Sequence, residues 1–221
     1  MIYKIKIRLF SLFQDFLNLF GFQIYYSKRE ELPKNLKINN IIDVGVALGT
    51  DYLFKNYPNA NYFFIEPYDK FHSHIEENLL KKYNGKIFKY GAHNKKEAKN
   101  LYLHDVSSSF FQRKNVKYKA HKKVKVDKLD NLLKKENFSK NTLLKIDTEG
   151  NELNVLKGSI KILKKIEYLI LEVRLKNIKT YNPSELIFFC YKYNFIWDSV
   201  IDVNHAKNGI SYMDILFKKN K

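Results

Sequence analysis

Three carboxylates, Asp147, Glu149 and Glu152, fall within six residues in the stretch LLKIDTEGNELNVLKG, directly after the apolar Leu143, Leu144 and Ile146. An apolar strand that runs into an acidic turn and then an amphipathic helix puts these acids at the carboxyl end of a buried strand, where open α/β sheets bind ligands. A carboxylate at such a place can take a proton from a hydroxyl, and the pair Asp147 and Glu149 has the oxygens to hold a divalent cation. Dipole complementarity alone also places acids in a first helical turn. Taken by itself, the turn favours that plainer reading.

A second loop changes the balance. The segment IIDVGVALGT puts Asp43 at the end of a strand, Gly45 in the turn and Gly49 where a helix begins. Glycine permits backbone conformations and close approach that a side chain forbids. Twenty-one residues past Gly45, at the end of YFFIE, Glu66 is placed to accept hydrogen bonds from both ribose hydroxyls of a nucleoside cofactor. A dinucleotide fingerprint would be G-x-G-x-x-G, but Ala47 stands where the middle glycine belongs, which disfavours a pyrophosphate. No GK[ST] follows the glycines and no cysteine pair exists, so neither a P-loop nor a zinc motif is present. His72 and His74, two apart in a predicted helix, diverge and do not share a metal.

The elements that must position these residues alternate. Apolar runs predict strands over 41–44, 62–65, 86–90, 143–146 and 168–173, and helical periods predict helices over 50–56, 70–81, 128–136, 153–164 and 184–193. That order gives an α/β fold with a mostly parallel, doubly wound sheet. Two late apolar segments, 195–203 and 212–217, flank a polar turn at Asn208 and Gly209 and predict an antiparallel terminal hairpin at the sheet edge. Between Ala92 and Asp127 the alternation breaks down: a short strand over 100–104 precedes VSSSFFQRKNVKYKAH, a stretch long enough to serve as a flap over an acceptor. The division is therefore an N-terminal helix and connector over 1–38, then a main domain over 39–221 with an insertion near 93–126.

Composition limits the partners. Hydrophobic residues make up 45% and charged residues 29% of the 221, as in ordinary globular chains. The net charge of +17 looks like a nucleic-acid signal, yet only four of the forty basic residues are arginines, the residue suited to bidentate phosphate recognition. Nucleic acid is disfavoured on that ground. The lone Cys190 sits in the apolar run LIFFCYKY and excludes an intramolecular disulfide. At the amino terminus, Ile5, Leu9, Leu12, Phe13, Phe16, Leu17 and Phe20 follow a helical period, while Gln14, Asp15 and Asn18 interrupt any span. This helix is expected to pack on the domain or a second copy, with contact at a membrane surface as the alternative. The expected compartment is cytoplasmic.

With both loops in view, the chain resembles the FkbM-type methyltransferases, a class I family that uses S-adenosylmethionine and acts mainly on hydroxyl oxygens. The resemblance runs from about Asn40 to Phe217. It is carried by IIDVGVALGT, FFIEP, KYGAH, VKVDKLDNLL and, above all, LLKIDTEGNELNVLKGS followed by IEYLILEV. The family usually has Asn where this chain has Ala47. The resemblance implies a Rossmann-like fold in which Asp43, Gly45 and Gly49 shape the methionine pocket, Glu66 holds the ribose and Ala92 and His93 border the adenine. It further implies that Asp147, Glu149 and Gly150 lie near the transferable methyl, with Asp147 first and His93 second as proton acceptor, Glu149 as a further catalytic candidate, and no required metal. The implied acceptor is a sugar hydroxyl of a surface glycan or related metabolite. Two other readings remain at this point: an RNA acceptor that would use the lysines, and a binding module without catalysis.

Overall fold

In the computed structural model, residues 32–33, 36–113, 116–176, 180–206 and 209–220 are described. The expected N-terminal helix lies outside them, as does Asn208 of the hairpin turn. The chain forms strands β1 (Asn40–Val44), β2 (Asn61–Ile65), β3 (Gly85–Phe88), β4 (Gly91–Ala92) and β5 (Glu97–Leu103). It continues with β6 (Ala120–Asp127), β7 (Thr142–Ile146), β8 (Tyr168–Arg174), β9 (Phe195–Ala206) and β10 (Gly209–Lys219). Seven strands make one sheet in the order β3-β2-β1-β7-β8-β10-β9, and β4-β6-β5 make a second.

The strands from β3 to β8 run parallel because both faces of each central one are covered. Ile42, Val44, Phe63, Ile65, Leu144 and Ile146 pack into one layer of the core, while Ile41, Tyr62, Phe64, Leu143 and Ile170 pack into the other. Strands buried on both sides appear in sequence as the near-continuous apolar runs that predicted them. Val44 pairs with both Ile65 and Ile146, so the loops after β1, β2 and β7 leave the sheet at one level. The strand order reverses at the β1/β7 pair, which makes the crevice beyond its carboxyl ends the expected ligand site.

Helices cover the sheet: α1 (Asp51–Asn56), α2 (Leu129–Leu132), α3 (Glu152–Lys157), α4 (Ile160–Leu163) and α5 (Pro183–Lys192). Between β2 and β3 the predicted helix is a composite, a 3-10 turn over Asp69–Phe71, an α-turn over His72–His74 and a π-turn over Ile75–Leu79. The start of α5 is written locally, since Asn182 accepts from the Ser184 amide at 3.0 Å and Pro183 occupies the first turn.

Three differences from the sequence expectation have physical reasons. The helix predicted over 153–164 divides into α3 and α4 at Gly158, because the chain there passes the His93 carbonyl so closely that a Cβ would lie 2.1 Å from it. The hairpin is antiparallel, but its second strand is inside the sheet and β9 forms the edge. Ile215, Leu216 and Phe217 of β10 are fully buried, whereas β9 buries only Phe195 and Ile201, so the more apolar strand takes the inner place. The insertion is more ordered than a flap loop. Its β5 pairs antiparallel with β6, β4 pairs parallel with β6, and Leu101, Phe110, Val124 and Val126 form a small core of their own.

Candidate active site

The loop after β1 is built on left-handed backbone. Gly45, Ala47 and Gly49 have φ of +85°, +46° and +101°. A Cβ on Gly45 would lie 1.9 Å from the Asp147 carbonyl oxygen, so glycine is what allows the β1 and β7 loops to touch. Glu66 ties this loop to the next: one carboxylate oxygen accepts from the Ala47 amide at 2.9 Å and the other from the Tyr68 amide at 2.7 Å. Burial pushes the Glu66 carboxyl up to about 7, against the pull of those two amides.

Two histidines hold the carbonyls of the same loops. His72 Nε2 bonds the Glu66 carbonyl at 2.9 Å, and His74 Nε2 bonds the Leu48 carbonyl at 3.0 Å. Asn78 donates to His74 Nδ1 at 3.0 Å, which leaves the proton on Nε2 and fixes its role as donor. The two side chains diverge, as their spacing requires, and each serves a different loop.

Beneath the loops lies a charge centre. Asp43 is fully buried and accepts from Thr50 Oγ1 at 3.0 Å. Burial raises its carboxyl, while the Lys145 ammonium 3.8 Å away lowers it. Lys145 itself projects from the penultimate position of β7 and contacts Asp147 Oδ2 at 3.2 Å. Burial opposes its charge, but Asp147 and Asp43 outweigh burial and hold the ammonium well above its usual range. Nothing in the acid-turn pattern marked Lys145. The available signal was a single charge inside LLKI, a run otherwise buried on both faces.

The three acids of the turn have different surroundings. Glu152 is fully buried, and one of its oxygens accepts from Thr148 N, Thr148 Oγ1 and Gly150 N at 2.9, 3.0 and 3.0 Å. It is the capping acid, enclosed by the turn it closes. Glu149, at φ +56°, is held by the guanidinium groups of Arg113 and Arg174. Burial raises its carboxyl while Arg174 and Arg113 lower it. Arg174 also reaches the buried Glu172 at 2.6 Å. Asp147 alone keeps substantial exposure, with 32% of its side chain accessible. Oxygens of Asp147, Glu149 and Glu172 lie within 4.8 Å of one another, but the two arginines already supply the positive charge that a cation would bring there.

A cavity of about 310 Å³ opens over this centre. Gly45 to Thr50, Glu66 and Pro67 form one side, Asp147 to Glu149 the floor, and Leu101, Val106 and Phe110 of the insertion the roof. Ala92 is on the wall. His93 is behind it, only 4% exposed, with its ring edge-on to Phe110 at 6.4 Å and Nδ1 3.9 Å from Glu97. Burial lowers the His93 imidazolium. Arg113 lashes the roof to the floor, since besides Glu149 it binds the Ser107 carbonyl at 2.6 Å, and Ser109 Oγ donates to the Glu149 carbonyl at 2.8 Å.

S-adenosylmethionine fits what these residues offer. The cavity has small-molecule size. Each Glu66 oxygen spends one lone pair on an amide and keeps another for a ribose hydroxyl. The glycine-bearing loop presents its backbone to the cavity, suited to the amino-acid end of the cofactor, whereas Asp43 lies fully buried beneath it and does not line the cavity.

Sheet order and loop-held carboxylates define the class: a Rossmann-like fold of the class I methyltransferase type. Within it, the chain belongs to the Methyltransferase FkbM domain family, whose pattern matches residues 26–196. Among solved structures it is similar to the methyltransferase FkbM from Methylobacillus flagellatus KT, with 13% identity and a TM-score of 0.50 over 82% of this chain and 44% of that one. The chain thus spans less than half the length of that relative. It is also similar to the Methanococcus jannaschii fibrillarin pre-rRNA processing protein, at 10% identity and TM-score 0.51 over 86% of this chain and 70% of that one. A third is Aeropyrum pernix fibrillarin with natively bound S-adenosyl-L-methionine, at 10% identity and TM-score 0.50 over 84% and 69%. At these identities the likeness is one of fold. No curated protein matches the chain. Among the described residues no helix is long and apolar enough to cross a membrane.

Proposed function

We propose that this chain transfers a methyl group from S-adenosylmethionine to a hydroxyl oxygen, that of a sugar in a glycan or related metabolite. The observation that carries the reading is the state of Asp147. It is the one acid of the turn with open access to the cavity, while Glu149 and Glu152 are committed to arginines and to backbone. The sugar acceptor follows from the family resemblance.

When bound, S-adenosylmethionine supplies the methyl as an electrophile on a sulfonium. Glu66 would hold the ribose and the loop over 45–49 the methionine end, while Asp43, buried beneath that loop and outside the cavity lining, positions it through Thr50. Asp147 would receive the hydroxyl proton as the oxygen attacks, and Lys145, 3.2 Å away, fixes the position of its carboxylate. Attack depends on how well the acceptor is held in line beneath the roof from the insertion. His93, behind Ala92, does not touch the cavity and is given no proton-transfer role in this scheme. Calorimetric titration with S-adenosylmethionine followed by labelled methyl transfer into a panel of nucleotide-sugars and glycans tests the proposal. Cofactor heat with label in a base-stable ether supports it; absence of heat leaves only a binding module without this cofactor.

A further inference from the structure

Lysines occur in every segment, but the insertion concentrates them. Residues 93–126 carry ten lysines and arginines against Glu97 and Asp105, a net of +8 in a chain of +17. This segment builds the minor sheet and the cavity roof. Its inner face buries Leu101, Val124 and Val126. Its outer face sets His121, Lys123 and Lys125 of β6 opposite Tyr102, Asn100 and Ala98 of β5.

The outer face is unbalanced. Lys119 and Lys70 pair with Asp105, and Lys122 pairs with Asp69, all on the rim. Lys123 and Lys125 are exposed and have no acidic partner among the described residues. Such a field attracts an anion and raises its local concentration. Beside the lysines, Tyr102 lies 6.0 Å from His121 and 5.7 Å from Tyr118, and His104 lies 6.1 Å from Tyr118. This row leads toward Asp105 and Val106 at the cavity rim. The rings tilt against one another by 54° to 72°, so they do not offer the successive open faces on which nucleic-acid bases stack. Arg113, the insertion's one arginine, is turned inward to Glu149. Point-charge lysines beside ring edges suit carboxylates carried on sugars.

We propose that the outer face of the minor sheet docks an acidic polysaccharide, a chain with carboxylates on successive sugars, and leads it to the cavity mouth. This rests on the sugar-hydroxyl reading above and specifies its substrate class.

The test measures binding of polygalacturonate, neutral dextran and poly(U) to the full chain, and to Lys123→Glu/Lys125→Glu and Lys123→Gln/Lys125→Gln variants. The expected result is that polygalacturonate binds, dextran does not, and both variants bind it about tenfold more weakly with unchanged S-adenosylmethionine heat. In about 1 M salt, where screening falls to ~3 Å, the wild-type binding is lost. Unchanged polygalacturonate affinity in a variant that still binds cofactor overturns the inference, as does no polygalacturonate binding. Tighter binding of poly(U) overturns it in favour of nucleic acid. Cofactor heat without polysaccharide binding removes this inference alone, whereas absent cofactor heat removes the function on which it rests.

Discussion

Lys145 Nζ stands 3.2 Å from the Asp147 carboxylate, on a β-strand buried along its whole length. The ammonium joins the candidate proton acceptor to the fully buried Asp43, 3.8 Å away on its other side. Cofactor loop and acid turn therefore share one cation, and the strand pair β1/β7 sets their separation. A fixed cation between two carboxylates holds both in place, which orients the Asp147 oxygens toward the cavity.

Lys145→Met should be the most damaging single change at the site. It leaves Asp43 buried with only Thr50 as partner, a type of loss that costs about 3–5 kcal/mol. Chemical denaturation measures this. The double variant Lys145→Met/Asp43→Asn should recover part of the loss, and a purely additive result would show that the two groups are not coupled.

Cofactor affinity should rise with pH through neutrality. Burial lifts the Glu66 carboxyl from its ordinary value to about 7, so below that pH the group is protonated in the free protein. Ribose hydroxyls bind best to the ionised form, so affinity should fall about tenfold per unit as pH drops below 7. The sign for stability is opposite: with a raised folded pKa, Glu66 contributes stability below about 4.5 that is lost as pH climbs through 7. Titration calorimetry across this range, with Glu66→Gln as the flat comparison, checks the first claim. Glu66→Ala at pH 8 should weaken cofactor by about 1–3 kcal/mol.

Ala47 sits at φ +46°, where a β-carbon is strained. Replacement by Asn, which tolerates this region, should stabilise the protein by about 1 kcal/mol and preserve the amide bond to Glu66. A lower melting temperature for Ala47→Asn would show that the methyl group is packed rather than strained. The residue typical of the family at this position thus has a conformational reason.

Gly158→Ala should destabilise by about 1–3 kcal/mol through overpacking, because its Cβ would meet the His93 carbonyl. Since α3 carries the acid turn, cofactor affinity and activity should fall with stability in this variant. Thermal melts with and without cofactor separate the two effects.

The parallel core was legible because Ile41 to Val44, Tyr62 to Ile65, Leu143 to Ile146 and Tyr168 to Val173 are apolar runs, and burial on both faces asks for little else. The glycine loop and Glu66 were legible through spacing. Other features were not, since they depend on long-range encounters. That α3 ends at Gly158 depends on a carbonyl sixty-five residues earlier in the chain. The division of labour among Asp147, Glu149 and Glu152 depends on Arg113 and Arg174, which no local pattern connects to the turn. The pairing of β6 was hidden because its exposed half, Ala120 to Lys123, is polar and only Val124 and Val126 hint at a strand.

The central claim is that Asp147 takes the proton from a hydroxyl that attacks the cofactor methyl. Labelled methyl transfer by Asp147→Asn and wild type, compared at saturating S-adenosylmethionine on the best acceptor of the panel, tests it most directly. The account predicts cofactor affinity within about twofold of wild type and turnover reduced by about 10²–10⁴, the range for loss of a general base. Equal turnover in a variant that binds cofactor normally would contradict it.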